Sequence, residues 1–263
     1  MSGVRGMIRW GGVERSARDR RLPCASTALA GLPSTQRLSL RLEQGTGMAR
    51  RQAEQSPFLE ALFHGSWNGG VYGQFVRARH YVSHLRQLHV VYESLESVLP
   101  GLKDGPLTRV LRLPELRRAS ALLADLDWFC GDTRTKPFAC AEARLHAERI
   151  REVAAEAPHL LIAHAWARCI QDLYTAPQRS ELVARAFELE NGRGTAFYNA
   201  VSAAELPAFQ SRWAARLDEV PLTEAQAQEV VQEARLAFRI QVLIGDELAR
   251  DAPELEGPGG TAG

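Results

Sequence analysis

The stretch Leu160–Ala176, LLIAHAWARCIQDLYTA, constrains this chain more than any other. It is apolar enough for a buried central helix, yet it carries His164, Arg168 and Asp172 at four-residue steps. Residues four apart lie above one another on a helix, so these polar side chains form one stripe while Ile162, Trp166, Ile170 and Leu173 line another. A core helix with one ionisable stripe is a candidate site wall. The plainer reading is a buried ion pair, Arg168 neutralising Asp172 with His164 hydrogen-bonded nearby.

The rest of the composition narrows the classes. With 263 residues, 45% hydrophobic and 24% charged, the chain has the length for one large domain with tails. A formal net charge of +1 lacks the basic excess of a nucleic-acid binder, so no nucleic-acid partner is expected. Cys24, Cys130, Cys140 and Cys169 are scattered, which suggests neither a zinc knuckle nor a disulfide framework and fits a reducing cytoplasm. Arg168 and Asp172 interrupt the longest apolar run, short of the roughly eighteen uncharged residues that a membrane span needs.

Taken in order, residues 1–34 are rich in Arg, Gly and Ser without helical periodicity and read as a disordered N-terminal extension. Leu38, Leu40 and Leu42 begin a helical arm, expected to break at Gly45 and Gly47 and resume towards Ser56-Pro57, a cap followed by a first-turn proline. Ser66–Gly73 reads as a turn-rich linker. Phe75–Leu99 is periodic, with Val82, Leu85, Leu88, Tyr92 and Leu95 on one face and His89 beside them. Pro114 opens a helix running to Gly131, and Phe138–Ala157 is a further helix with the pair Glu142–His146 on a solvated face. After the central helix Pro177 is expected to end or kink it, with Arg179–Leu189 following. Pro207–Leu217 is short, and Thr223 with Gln226 forms a capping box for a long last helix through Phe238. No β-type alternation appears, so the fold class is all-α, a single-domain irregular helical bundle over 35–251 with a flexible tail at 252–263.

At this level of detail the chain resembles the heme oxygenases. HLLIAHAWARCIQDL is similar to that family's E-L-L-V-A-H-x-Y-x-R-Y-L-G-D-L helix. The likeness extends to QLHVVYESLE, LPELRRASALLADLDWFCG, GRGTAFY and QEARLAFRIQVLIGDEL, and to GTGMARRQAEQSPF, where the family reads like G-T-x-x-x-H-x-x-A-E. The resemblance implies heme held between two helices as substrate and cofactor. It also implies O2- and reductant-dependent cleavage to biliverdin, iron and CO, with electrons from a ferredoxin or reductase. On the matching positions Asp172 and Arg168 are the implied catalytic residues. Arg50, Glu54, His164, Gln171, Tyr174 and Phe238 are the implied heme-binding set.

Several of these positions depart from the family pattern. Arg50 stands where the family carries its axial histidine, and a guanidinium has no lone pair for a metal. The distal run G-D-L-S-G-G-Q becomes Gln171-Asp-Leu-Tyr174-Thr175-Ala176-Pro177, without glycines for close backbone approach. Positions expected to bear cations for the heme carboxylates hold Glu43, Gly47, Gln210 and Ala214, with Arg212 and Arg216 as stand-ins. His64 or His89 are the substitute metal ligands the sequence offers. Two readings therefore stand side by side: heme cleavage, and a catalytically silent relative binding an iron-free tetrapyrrole or a partner protein.

Overall fold

The computed structural model describes residues 37–64, 66–67, 70–71, 78–131 and 139–251. The expected N-terminal extension and C-terminal tail lie outside the described residues, as does the side chain of His64.

The first helix, α1 (Leu38–Glu54), is a single piece, contrary to the break expected at its glycines. Packing against the last helix explains why. A Cβ added at Gly45 would lie 2.6 Å from Val231 Cγ1, so glycine is what permits the two backbones to approach. A short α2 (Pro57–His64) follows, with proline at its first position as anticipated. The linker contains a minimal antiparallel ladder, β1 (Ser66–Trp67) with β2 (Gly70–Val71), which the sequence reading did not foresee. Among the described residues the rest of the regular structure is helical.

The central layer is α3 (Ala78–Val98), whose Tyr81, Leu85, Leu88, Tyr92 and Leu95 are buried as their spacing predicts. After α4 (Pro106–Leu111), Pro114–Leu116 forms one 3-10 turn rather than opening a long helix. The next helix, α5, spans Ala119–Cys130. Its start is set by another element: Glu96 on α3 accepts the backbone N–H groups of Arg118 at 2.7 Å and Ala119 at 2.8 Å, capping α5 from outside. α6 (Ala141–Glu156) packs with α5 on the flanks of α3.

The apolar stretch forms a continuous rod: α7 (Leu161–His164), a wide π-turn at Ala165–Ile170, and α8 (Gln171–Ala186). Pro177 lies inside α8 and neither ends it nor separates a second helix from it. An interior proline costs about 3 kcal/mol. Contacts spanning it offset that cost: Leu173, Ala176 and Val183 are buried, and Arg179 Nη1 reaches back to Asp172 Oδ1 at 3.3 Å. α9 (Leu206–Asp218) leads to α10 (Glu224–Arg250), which opens with the expected capping box. There Gln226 N donates to Thr223 Oγ1 at 3.2 Å and Thr223 N to Gln226 Oε1 at 3.0 Å. α10 lies against α1, α6 and α7, and hydrogen bonds from Trp166 to Thr46 and from Tyr92 to Asp172 tie the rod to α1 and α3.

Candidate functional site

Asp172 is the centre of the first buried polar cluster, only 1% exposed. Arg168 brackets it, donating from Nε to Oδ2 at 2.6 Å and from Nη2 to Oδ1. Tyr92 donates its hydroxyl to Oδ2 at 3.0 Å, and Arg179 adds its bond to Oδ1. Tyr92 in turn accepts from Arg118, which also donates to the Cys169 carbonyl at 2.8 Å and stacks 4.4 Å from the Phe197 ring. A carboxylate offers about four lone-pair directions, and Asp172 receives four donors, so its acceptor capacity is filled by protein. Burial pushes its carboxyl upwards, but Arg168, joined by Arg118 and Arg179, holds it below the ordinary carboxylate range.

The sequence stripe thus divides. Arg168 and Asp172 form the expected buried ion pair, whereas His164 turns to a different neighbourhood, because the wide π-turn between them breaks the four-residue row. His164 Nδ1 lies 3.1 Å from His146 Nε2 on α6, and its Nε2 is 3.2 Å from Glu233 Oε1 on α10. Arg149 donates to both Glu233 oxygens at 2.9 and 2.8 Å. Burial raises the Glu233 carboxyl, but Arg149 and His164 outweigh it and hold it at about 2. His146 is therefore no decoration of a solvated face: it is fully buried in this second cluster. Its place on α6 beside Ala143, Ala147 and Ile150, all buried, was the available signal.

Across from α8, the position expected to hold a metal ligand carries the Arg50 guanidinium. Arg50 pairs with Glu43 at 3.3 Å and, as the spacing anticipated, with Glu54 at 3.9 Å. Its Nη1 also reaches Gln171 Oε1 on α8 at 3.5 Å, joining the two helices directly. Tyr174 stands edge-on to Trp166 with ring centres 6.4 Å apart. Burial pushes its phenol up to about 12, with Glu43 adding and Arg50 opposing. Phe238, 1% exposed on α10, closes the inner end. The space left among Ala53, Gln171, Asp172, Thr175 and Phe238 is about 10 Å³.

The remaining sequence candidates lie elsewhere. His89 is buried on α3, where burial lowers its imidazole against the opposing pull of Glu93 and Glu96, and it lines neither the α1–α8 space nor its neighbours. Arg212 pairs with Glu115, and Arg216 Nη1 approaches the Arg109 carbonyl at 3.5 Å. Sequence reasoning missed Tyr92, Arg118, Arg179 and Glu233 as partners. Arg179 was findable, being seven residues, or two turns, beyond Asp172. Arg118 and Glu233 were not, since neither shares an element with the group it serves. Among the described residues no group of three or more His, Cys, Asp or Glu side chains could hold a metal ion, and no helix is long and apolar enough to cross a membrane.

This arrangement of helices is found in known proteins. The chain is 29% identical over 212 residues to heme oxygenase 1 of Synechocystis sp., covering 80% of this chain and 84% of that one. It is 30% identical over 224 residues to heme oxygenase 2 of Oryctolagus cuniculus, covering 83% and 69%. The crystal structure of the Synechocystis heme oxygenase-1 in complex with heme superposes with a TM-score of 0.73 at 27% identity, over 83% of this chain and 95% of that one. Synechocystis heme oxygenase-2 in complex with heme and NO gives 0.76 at 25% identity, over 84% and 89%. The profile of the heme oxygenase family matches residues 36–244, and with that span and this fold the chain belongs to the heme oxygenase family.

Proposed function

We propose that this chain is a non-cleaving member of the heme oxygenase family, one whose role rests on binding rather than on oxygen chemistry. The observation that carries the reading is the contact between Arg50 and Gln171, which spans the gap between α1 and α8 with the chain's own side chains. The residues present do not fit heme held in the family's ordinary way. Ligand pockets measure roughly 300–1,000 Å³, against about 10 Å³ here and about 180 Å³ in the adjoining space that shares Glu54, Thr175 and Arg179. The Arg50 guanidinium has no lone pair to offer to iron. Asp172, the implied holder of catalytic water, has its lone pairs taken by Arg168, Arg179 and Tyr92.

On this reading a ferredoxin or reductase partner has no substrate to reduce, and a tetrapyrrole, the iron-free form included, is taken up without a histidine on its iron and only where the contact between Arg50 and Gln171 gives way. A cytoplasmic setting accords with Cys140 and Cys169 being free thiols. Residues 35–251 form the binding domain, with 1–34 and 252–263 as extensions.

Titration with hemin beside titration with an iron-free porphyrin tests the proposal. The expected result is a weak Soret band without an imidazole signature, comparable affinity for the two ligands, and little biliverdin with ascorbate or a reductase. A sharp histidine-ligated spectrum with stoichiometric biliverdin would overturn it, and substitution of His64, His84 and His89 would then locate the ligand.

A further inference from the structure

The cluster around Asp172 holds more cations than anions. Arg168 already meets both oxygens of the carboxylate, so Arg179, tied to Oδ1 by one bond of 3.3 Å, brings a positive charge that no second carboxylate bonds among the described residues. Its side chain is only 11% exposed, and a buried charge short of partners is costly. The same charge acts on His84: burial lowers that imidazole to about 3, with Arg179 and Arg168 adding, so the histidine stays neutral.

Arg179 lines a space of about 180 Å³ between α2 and α8. Its guanidinium lies over the Phe63 ring, 4.8 Å from the ring centre, and its Nε and Nη2 donate to no group among the described residues. Leu59, Phe63 and Leu182 supply apolar walls. The polar remainder is engaged or exposed: Thr175 Oγ1 donates to the Gln171 carbonyl at 3.2 Å, Gln178 is exposed, and Glu54, 40% exposed, pairs with Arg50 at 3.9 Å. A guanidinium fork matches a carboxylate in both plane and charge. Apolar walls beside it call for hydrocarbon, which disfavours a hydrated inorganic anion. The space is smaller than the roughly 300–1,000 Å³ of sites for drug-sized ligands, so that hydrocarbon is short.

We propose that the space between α2 and α8 binds a small apolar carboxylic acid, its carboxylate on Nε and Nη2 of Arg179 and its short chain or single ring against Leu59, Phe63 and Leu182. The acid supplies the second anion that the cluster around Asp172 lacks. The site goes beyond the tetrapyrrole reading and does not rest on it, since neither Arg50 nor Gln171 lines the space.

Titration of the full-length protein with octanoate, 1-octanol and inorganic phosphate, followed in carbon-13 methyl spectra of labelled leucines, tests the site. Octanoate is expected to give saturable shifts at Leu59 and Leu182 and to bind more tightly than 1-octanol by about tenfold or more, the worth of charge-assisted hydrogen bonds. Phosphate should give no saturable shift. Arg179→Leu should remove the preference and leave 1-octanol binding where it was, and Arg179→Lys, which keeps the charge but not the fork, should retain part of it. Equal binding of octanoate and 1-octanol, no saturable shift with octanoate, saturable shifts with phosphate, or a preference that survives Arg179→Leu would each overturn the proposal. The comparison of the three ligands is made on the unaltered protein and holds even where a variant fails to fold. A hemin titration that disproves the tetrapyrrole reading leaves it unchanged.

Discussion

Two of the buried carboxylates among the described residues, Asp172 and Glu233, face opposite situations. Asp172 is met by Arg168 and Arg179 directly and by Arg118 through Tyr92, so one anion sits among three guanidiniums. Glu233 has one guanidinium, Arg149, and one imidazole, His164, and the imidazole passes the polar chain on to His146. The first cluster is closed, with each carboxylate lone pair occupied. The second is open at its far end, at His146 Nδ1.

Removing Asp172 should have the largest effect, because it leaves buried guanidiniums without their counter-ion. Asp172→Ala is expected to lose about 3–5 kcal/mol in urea unfolding. A loss below about 1 kcal/mol would mean that the arginines neutralise elsewhere and the cluster is not closed. Glu233→Gln keeps the shape but loses charge-assisted bonds, at about 1.5–3 kcal/mol. The pH dependence separates the pair further. Both carboxyls are depressed in the folded protein, so their stabilisation is fully present above the unfolded values and fades as pH falls through the folded ones, which for Glu233 means towards about 2. Glu233→Gln should therefore flatten the acid limb of the stability curve below about pH 4.5, the unfolded range for glutamate. An unchanged acid limb would show that Glu233 is not ionised in the fold.

The helical architecture was legible because periodicity reports burial directly: the faces of α3 and α10 and the Thr223 capping box follow from spacing alone. What the sequence concealed was long-range. The continuity of α1 through Gly45 depends on Val231, and the start of α5 on Glu96, residues far along the chain. Pro177 misled for the same reason, since propensity is local and the contacts holding α8 across it are not. At the site, the chemistry of an arginine where the resemblance implies an axial histidine was legible, and its pairing with Glu54 followed from helix spacing. Its reach to Gln171 was not, because a side chain crossing between elements leaves no period in the sequence.

The smallest effect on stability, and the one that bears most on function, belongs to Arg50. Its partners Glu43 and Glu54 are 49% and 40% exposed, and such half-solvated pairs contribute only about 0–1 kcal/mol. The 3.5 Å contact with Gln171 is long and adds little more. Arg50→Ala is therefore expected to change unfolding by less than about 1 kcal/mol while removing the side chain that spans α1 and α8. Hemin and iron-free porphyrin affinity should both rise, by the same factor, since the change opens space and supplies no ligand to iron. Equal and unaltered affinities would place the closure with Gln171 and Tyr174 instead, and a rise confined to hemin would point to a histidine reaching the iron once the guanidinium is gone. Set beside Asp172→Ala, the contrast is between a contact that holds the fold together and one that only closes a space within it.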